Sequence, residues 1–291
     1  MNLLEAIIMG IIQGATEFLP VSSSGHLAIF KNIFHINTDT GILFDILLHA
    51  GTLVAIFVVY YKDIWELIVE ACAMLGLVFS NLAILFHNIF SKEKKEYKKI
   101  ITGTYRRFVL LIIMSTLVTM CIALPFEKAI GSAGETLLVP GICLCVTSVI
   151  LFVADRVKPG SKTAAEATYK NSFFVGLAQG IATLPGISRS GSTVTAGLIC
   201  GFEREFAVKY SFIMSIPAIL GACVLEIPDL VGAGLAASEV ANYAVGMAVA
   251  AVVGYICIKA MLLTVKKNKF KWFSIYCLIA GVISVVCYFV L

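Results

Sequence analysis

A sixteen-residue pattern occurs twice in this chain, and it restricts the possible folds more than any other feature. Residues 10–25 read GIIQGATEFLPVSSSG, and residues 176–191 read GLAQGIATLPGISRSG. Each copy has glycines at its first and fifth positions, a glutamine at its fourth, a proline before the serines and a closing glycine. Segments of this kind are typical of helices broken inside a membrane, where a cavity or protein neighbours must satisfy the freed backbone groups.

The two copies differ at the positions where chemistry would take place. Glu17 and His26 occur only in the first copy, and Arg189 occurs only in the second, opposite Ser23. A pair of interrupted segments in corresponding halves of a membrane protein indicates its central site. We therefore expect the site at these two breaks.

The composition is that of a polytopic membrane protein. Of the 291 residues, 59% are hydrophobic and 14% are charged, whereas about 25% of the residues of a soluble domain are charged. The length favours one integral domain over residues 1–291. The basic residues lie in short clusters between apolar runs, which argues against a nucleic-acid partner. The nine cysteines include no CxxC pair and are interpreted as buried thiols.

Apolar runs of about 20 residues predict membrane-spanning helices. The predicted spans are 41–61, 107–124, 136–156, 206–226, 239–264 and 270–291. The motif segments, about 3–34 and 172–201, are each two short apolar helices around a polar break, so we predict that they are re-entrant. The run 64–90 is long enough to cross but is the most polar of these stretches.

The distribution of charge predicts the orientation. If 64–90 does not cross, 18 of the 22 Lys and Arg residues share one side, and the positive-inside rule makes that side cytoplasmic. Lys31, Lys128, Glu5 and Asp229 then lie outside with both termini. If 64–90 crosses, the termini lie inside.

The repeat favours the first arrangement. Three spans between the re-entrant segments make these segments enter from opposite faces, as in inverted-repeat membrane proteins. We therefore predict an all-α polytopic protein with about six transmembrane helices and two oppositely oriented re-entrant segments, with 64–90 interfacial or partly dipping into the membrane. Repeat 1 covers about 1–156 with an insertion at about 62–105, and repeat 2 covers about 170–291.

The first motif offers a carboxylate beside hydroxyls. Gln13 and Glu17 are four residues apart and share a helix face, and a carboxylate in an apolar segment usually marks function. Ser22–Gly25 can present backbone N–H groups to an anion, and His26 near the serines permits a nucleophile and base arrangement. The alternatives are that Glu17 lies at the water interface and that the serines only satisfy the helix break.

The second motif offers a cation among hydroxyls. Arg189 is not at the end of a span, and a guanidinium suits bidentate recognition of phosphate. Asp45 and His49 form a further pair at helical spacing, which is at least as compatible with a structural role.

These motifs resemble those of a known family. QGATEFLPVSSSGH at residues 13–26 and PGISRSGST at residues 185–193 are similar to the two signatures of the bacterial undecaprenyl-diphosphate phosphatases, the bacitracin-resistance family. The resemblance extends over essentially the whole chain, and Gln13 stands where the family has Glu or Gln. The alternative of a type-2 phosphatidic-acid phosphatase is rejected, because Thr193-Val-Thr-Ala-Gly follows where that family needs a His and an Asp.

The resemblance implies hydrolysis of undecaprenyl diphosphate to undecaprenyl phosphate and phosphate, which recycles the carrier lipid for cell-wall synthesis and confers bacitracin resistance. We expect a multi-pass protein of the bacterial cell membrane whose site opens to the external face. A homodimer is left open. The alternative function is a secondary transporter or flippase of a lipid-linked or anionic substrate, because such proteins share the inverted repeat.

The expected site has catalytic and substrate-binding groups. Ser23 is expected to be the nucleophile with His26 as base, and attack by water activated by His26 or Glu17 stays open. A divalent cation, Mg²⁺ or Ca²⁺, is expected to bridge Glu17 and the phosphates. The catalytic residues are Glu17, Ser23, His26 and Arg189, and the substrate-binding residues are Gln13, Ser22, Ser24, Gly25, Ser188, Ser190 and Thr193.

Overall fold

The computed structural model describes residues 2–34, 42–158, 160–225 and 237–290, and these residues form twelve α-helices and no named strand. The helices are α1 (Leu3–Phe18), α2 (Ser23–Phe34), α3 (Ile42–Val59), α4 (Tyr61–Phe90), α5 (Thr104–Ala123), α6 (Glu127–Ala133), α7 (Leu138–Arg156), α8 (Tyr169–Ile181), α9 (Arg189–Ile199), α10 (Arg204–Leu225), α11 (Ala237–Lys266) and α12 (Phe270–Val290). A short 3₁₀ turn, Leu124–Phe126, joins α5 to α6.

Within the described residues, six helical stretches are long and apolar enough to cross a membrane. They are Tyr61–Phe90, Thr104–Ala133, Leu138–Arg156, Arg204–Val224, Glu239–Lys266 and Phe270–Val290. The prediction of an all-α polytopic membrane protein is confirmed. Helix α4, which is predicted from the sequence to lie outside the spans, also meets the length and composition required of a span, and the predicted span 41–61 forms α3 with an apolar stretch at Phe44–Val59.

The loops that carry most of the positive charge contact one another at one end of the bundle. Lys209 of α10 bonds to Asp63 of α4 at 2.9 Å, and the Tyr105 hydroxyl donates to the same carboxylate at 3.3 Å. Lys266 pairs with Glu205 at 2.8 Å. We call this the basic end; it comprises residues 60–63, 104–107, 155–158, 160–170, 203–209 and 266–271.

Helices α1 and α2 form a hairpin, hairpin 1, that enters the bundle from the opposite end. Helix α1 runs parallel to α11, since Gly10 lies against Gly246 and Gly14 against Ala250. A Cβ atom on Gly14 would lie 2.7 Å from the Ala250 carbonyl oxygen, so this close contact requires glycine. Helix α2 then returns toward the outer end.

The return of hairpin 1 is fixed by an ion pair. Lys31 near the end of α2 bonds to Asp45 near the start of α3 at 2.6 Å. Helix α3 ends at Val59, next to the basic end. The outer end of hairpin 1 therefore lies away from the basic end. Asp229, which was predicted at the same outer end, lies outside the described residues.

Helices α8 and α9 form hairpin 2, which enters from the basic end. Helix α8 runs parallel to α5, and a Cβ on Gly176 would lie 2.5 Å from the Ser115 carbonyl oxygen. Helix α9 returns, and Lys162 of the basic end donates to the Cys200 carbonyl at 2.9 Å. Each hairpin thus packs against a long helix from the other half of the chain. The re-entrant placement of the hairpins in a bilayer and the division into two repeats stay predictions.

The two hairpin tips meet inside the bundle. A Cβ on Gly25 would lie 2.7 Å from the Gly186 Cα, so the backbones of the tips are in contact. Gly186 has φ +97°, and a Cβ there would lie 2.3 Å from the Pro140 carbonyl oxygen. The Ser190 hydroxyl also donates to the Leu19 carbonyl at 3.3 Å. The predicted motifs are therefore brought together where both helices are broken.

Candidate active site

A cavity of about 340 Å³ lies at the junction of the two hairpin tips. Both motifs contribute to its wall, and so do α3 and α10 through Asp45, His49, Ala222 and Cys223. Because α3 starts and α10 finishes at the end opposite the basic end, the cavity extends toward that opposite end. Of the predicted site residues, it is lined by Glu17, Ser22, Ser23, Ser24, Ser188 and Arg189.

Glu17 is the centre of the polar network in this cavity. Its side chain is 5% exposed, and its Oε2 accepts hydrogen bonds from the Gln13 amide at 3.0 Å and from the Ser23 hydroxyl. Its Oε1 accepts from an Nη atom of Arg189. A buried carboxylate requires such partners, because an unpaired charge costs several kcal/mol or more. Glu17 is therefore held inside the bundle by protein partners and faces the cavity.

Helices α2 and α9 both begin at the cavity, and at each start a serine hydroxyl accepts a hydrogen bond from the backbone N–H three residues later. The Ser22 hydroxyl accepts from the Gly25 N–H at 3.3 Å, and the Ser188 hydroxyl accepts from the Gly191 N–H at 3.0 Å. Ser22 has φ +70°, a left-handed conformation that costs about 1 kcal/mol for a non-glycine residue. Two helix N-termini therefore converge on one space, and each favours an anion there.

Ser24 also lines the cavity, whereas Ser190, Gly25 and Thr193 serve the contacts that hold the tips. Thr193 is 1% exposed, and its hydroxyl bonds to the Arg189 carbonyl at 2.8 Å and to the Ser211 hydroxyl at 2.6 Å. The structure therefore places Thr193 behind Arg189. It does not place it in the space that a substrate would occupy.

His26 is turned away from the cavity. Its Nδ1 lies 2.7 Å from the Ser22 carbonyl and its Nε2 lies 2.7 Å from the Tyr276 hydroxyl. Its ring also stacks on that of Tyr276, with centroids 5.6 Å apart. These partners assign the proton to Nδ1, which donates to the carbonyl, while Nε2 accepts from the hydroxyl. With both nitrogens occupied, His26 is placed to hold the tip beside Ser23, and the structure does not bring it to the Ser23 hydroxyl as a base.

His49 is the histidine that the structure brings to the site. Its Nε2 lies 3.6 Å from the Glu17 Oε2, and its Nδ1 bonds to the Asp45 carbonyl at 2.8 Å. The helical spacing of Asp45 and His49 in the sequence is equally compatible with a structural role, so it does not predict this approach to Glu17. The sequence does contain a signal for this position. Two polar residues in the apolar run 41–61 indicate a side facing the bundle interior, because such residues rarely face lipid.

The chain is similar to known proteins over nearly its whole length. The family model described as "Bacitracin resistance protein BacA" matches residues 6–283 of the chain. The chain belongs to the BacA family. A BacA relative from Methanosphaera stadtmanae, named undecaprenyl-diphosphatase, is 37% identical over 287 residues and 98% of each chain. Proteins of the same name from Carboxydothermus hydrogenoformans, 40% identical over 97% of this chain and 96% of that one, and from Desulforapulum autotrophicum, 36% identical over 100% of both, are also similar.

Membership in the BacA family confirms the resemblance predicted from the two motifs. Both motifs lie within the matched range, and so do all the cavity residues.

The donor atoms near Glu17 determine which metal ion the site suits. Among the described residues, no group of three or more His, Cys, Asp or Glu side chains could hold a metal ion. Glu17 is the one carboxylate at the tips, and Asp45 of the cavity wall is already paired with Lys31. This set does not form a dedicated metal cage. It suits a hard cation such as Mg²⁺ that takes one carboxylate from the protein and its other ligands from phosphate and water.

Proposed function

We propose that this protein is an undecaprenyl-diphosphatase that hydrolyses the carrier-lipid diphosphate to undecaprenyl phosphate and inorganic phosphate. The relatives that share its length carry that name. The observation that carries the proposal is the contact between Glu17, Ser23 and Arg189 at two converging helix N-termini. This arrangement supplies a hydroxyl, a proton acceptor and a fixed cation within one anion-binding space.

The diphosphate is proposed to bind between the tips. Arg189 donates to phosphate oxygens, and the N–H groups at the starts of α2 and α9 point toward the same space. Phosphoryl transfer depends mainly on positioning and on stabilising charge at the transferred oxygens. These groups are fixed before substrate arrives, so little reorganisation is needed when the charge develops.

The Ser23 hydroxyl is proposed to attack the terminal phosphorus. A Ser23 Oγ–P bond forms while the bond from that phosphorus to the bridging oxygen breaks, and undecaprenyl phosphate leaves. Glu17 accepts the hydroxyl proton, because Ser23 already donates to its carboxylate. Water then attacks the phosphoserine while the Ser23 Oγ–P bond breaks, and the proton held by Glu17 returns to Ser23 Oγ. The freed Glu17 carboxylate takes a proton from the attacking water and releases it to solvent, so that inorganic phosphate and free Ser23 result. Direct attack by a water that Glu17 activates is the competing route.

His49 is proposed to tune the proton acceptor. Its Nε2 lies 3.6 Å from the Glu17 Oε2, the oxygen that accepts from Ser23. The imidazole therefore lies beside the carboxylate that takes up the Ser23 proton in this proposal. The sequence-based role of His26 changes with this proposal from base to positioning residue.

A divalent cation is proposed as the cofactor, with Glu17 as its protein ligand. When bound, such an ion neutralises charge on the phosphate oxygens. Glu17 would then exchange part of its contact with Arg189 for the ion. The preference between Mg²⁺ and Ca²⁺ is open.

The site is proposed to open to the external face of the bacterial cell membrane. The cavity extends away from the basic end, and the positive-inside rule makes the basic end cytoplasmic. The polyprenyl tail can then remain in the bilayer while the diphosphate enters between the tips.

Phosphate release from a polyprenyl diphosphate by the purified protein tests the function. We expect release that stops with chelator and returns with Mg²⁺ or Ca²⁺. Tight binding of the lipid without any release, across metals and chain lengths, would favour the transporter instead. If the chelator does not change phosphate release, the phosphatase function stands and the divalent cation is refuted as its cofactor.

A further inference from the structure

Helix α4 and the segment after it form a unit that extends from the basic end, and we call this unit, residues 61–103, the α4 arm. The first half of α4 packs on the bundle through Ile64, Leu67 and Met74, which are each 7% exposed. The second half, up to Phe90, has no buried residue. This unit lies outside the hairpins and the cavity.

The segment after α4 runs back along the helix in an extended form. The Asn88 side chain bonds to the backbone of Lys95 at 2.8 and 2.9 Å, and the Asn81 side chain bonds to the backbone of Lys98 at 2.8 Å in both directions. Arg106 then pairs with Glu70 at 2.5 Å. The chain therefore returns to the basic end along the polar face of α4.

The opposite face of α4 is a continuous exposed apolar stripe. Trp65, Phe79 and Phe86 are 66%, 69% and 61% exposed, and they share a spacing of seven residues with Cys72, which is also exposed. A second row at the same spacing is exposed beside them. It consists of Ile68, Leu75, Leu82 and Ile89.

Two constraints fix where this helix can lie. If α4 crossed the bilayer, the extended segment 91–103 would cross beside it with its five lysines, and most of its backbone would lack partners in hydrocarbon. If the arm projected into water, the stripe would be left exposed as a large apolar patch. Only the interface satisfies both faces, with the stripe toward the acyl chains and the lysines toward the headgroups.

We propose that the α4 arm lies flat on the leaflet at the basic end and binds anionic lipid headgroups through its lysines. Segment 91–103 carries five lysines and two glutamates, a net charge of +3. All five lysines are exposed. Clustered lysines next to an interfacial helix attract anionic lipids, and each contributes a factor of roughly five to the binding ratio. The proposal concerns lipid binding away from the cavity and does not depend on the phosphatase reaction.

Depth measurements on the full chain in nanodiscs, with one copy per disc, test the position of the helix. Cys72 is kept as a single native thiol, the other eight cysteines are replaced, and Cys72 is labelled with an environment-sensitive fluorophore. A second variant carries the label at Phe86→Cys instead. The two sites are about 21 Å apart along the helix. In anionic discs we expect both labels at the same shallow depth, by quenching with lipids that carry a nitroxide at known positions.

Three results would refute the proposed position of α4 on the leaflet surface. A difference of about 20 Å in depth between the two labels would show that α4 crosses. Quenching by aqueous iodide with none by lipid would show that the arm stands in water. Protection from both quenchers would show that protein covers the stripe, as a second copy would if two chains entered a disc.

The charge is tested by replacing the five arm lysines with glutamine. The docked fraction, read from lipid quenching at Cys72, should fall steeply in this variant and in discs of neutral lipid. The matched control removes five positive charges from other loops of the basic end and should keep the quenching; its positions are Lys158, Lys170, Lys267, Lys269 and Lys271. Equal docking in neutral and anionic discs, or equal loss in both variants, would refute binding through the arm lysines.

Discussion

Replacing Glu17 with glutamine removes the charge at the centre of the site and keeps the shape of the side chain. The carboxylate accepts from Gln13, Ser23 and Arg189, whereas glutamine has one acceptor oxygen and one NH₂ donor. To keep the bond from Arg189, the new NH₂ group must face Gln13 and Ser23. Gln13 can rotate its amide, because its Oε1 has no hydrogen-bond partner among the described residues. Ser23 must then accept a hydrogen bond, and its hydroxyl loses its proton acceptor.

The expected loss of rate in Glu17→Gln follows from this loss of the proton acceptor. Loss of a general base costs about 10²–10⁴-fold in rate, which is about 3–5 kcal/mol of transition-state stabilisation. We expect kcat and kcat/KM for phosphate release to fall together, because proton acceptance occurs only in the transition state. The variant should be less stable by up to about 3–5 kcal/mol, because the largely buried Arg189 loses its charged partner and keeps only a neutral acceptor.

The assay measures phosphate release at saturating lipid, with the thermal transition of each variant as a test of folding. Glu127→Gln is the matched control, because Glu127 is an exposed carboxylate on α6, and its kcat should match that of the wild type. A folded Glu17→Gln variant that retained more than about a tenth of the wild-type kcat would refute Glu17 as the proton acceptor.

Three further predictions test the nucleophile, the second histidine and the orientation. Ser23→Ala should lose release by about 10³-fold or more, and acid quenching with labelled terminal phosphate should label the wild type only; wild-type turnover by Ser23→Ala would favour attack by water. His26→Asn should retain more activity than His26→Ala, because an amide NH₂ can replace the donation of Nδ1 to the Ser22 carbonyl, whereas equal losses would point to proton transfer by His26. Cysteine at Glu5 should react with an impermeant thiol reagent applied outside and cysteine at Lys269 should not, and the reverse pattern would contradict an external site.

Much of the fold could be predicted from periodicity and hydropathy. The apolar runs gave the long helices, and the Gly/Pro breaks gave the hairpins, because both features are local. Each hairpin packs on a helix from the other half of the chain, α1 on α11 and α8 on α5. This pairing could not be predicted from the sequence around either hairpin. The glycines at positions 10, 14, 176 and 180 permit these close contacts, but nothing in their local sequence specifies the partner helix. Hydropathy also treats α4 like a span, because it is insensitive to the segment that covers its polar face.

The site was predictable where residues adjacent in sequence meet. Glu17 and Ser23 are six residues apart and hydrogen-bonded, and the pairing of the two motifs placed Arg189 with them. The roles of the two histidines were not predictable in this way. The orientation of His26 depends on Tyr276, which is 250 residues away in sequence. The approach of His49 to Glu17 depends on how α3 packs against hairpin 1.

The pairing of hairpin 1 with α11 has a consequence for synthesis of the chain in the cell. Gly10 packs on Gly246, so the ribosome makes hairpin 1 long before its partner exists. Hairpin 2 meets α5 as soon as it is made, because α5 precedes it. During most of translation the first hairpin must therefore wait at the membrane without its partner helix, exposed to chaperones and proteases. Catalytic assembly then becomes a late, post-insertion step, and a nascent chain released before residue 237 carries both motifs without a functional enzyme.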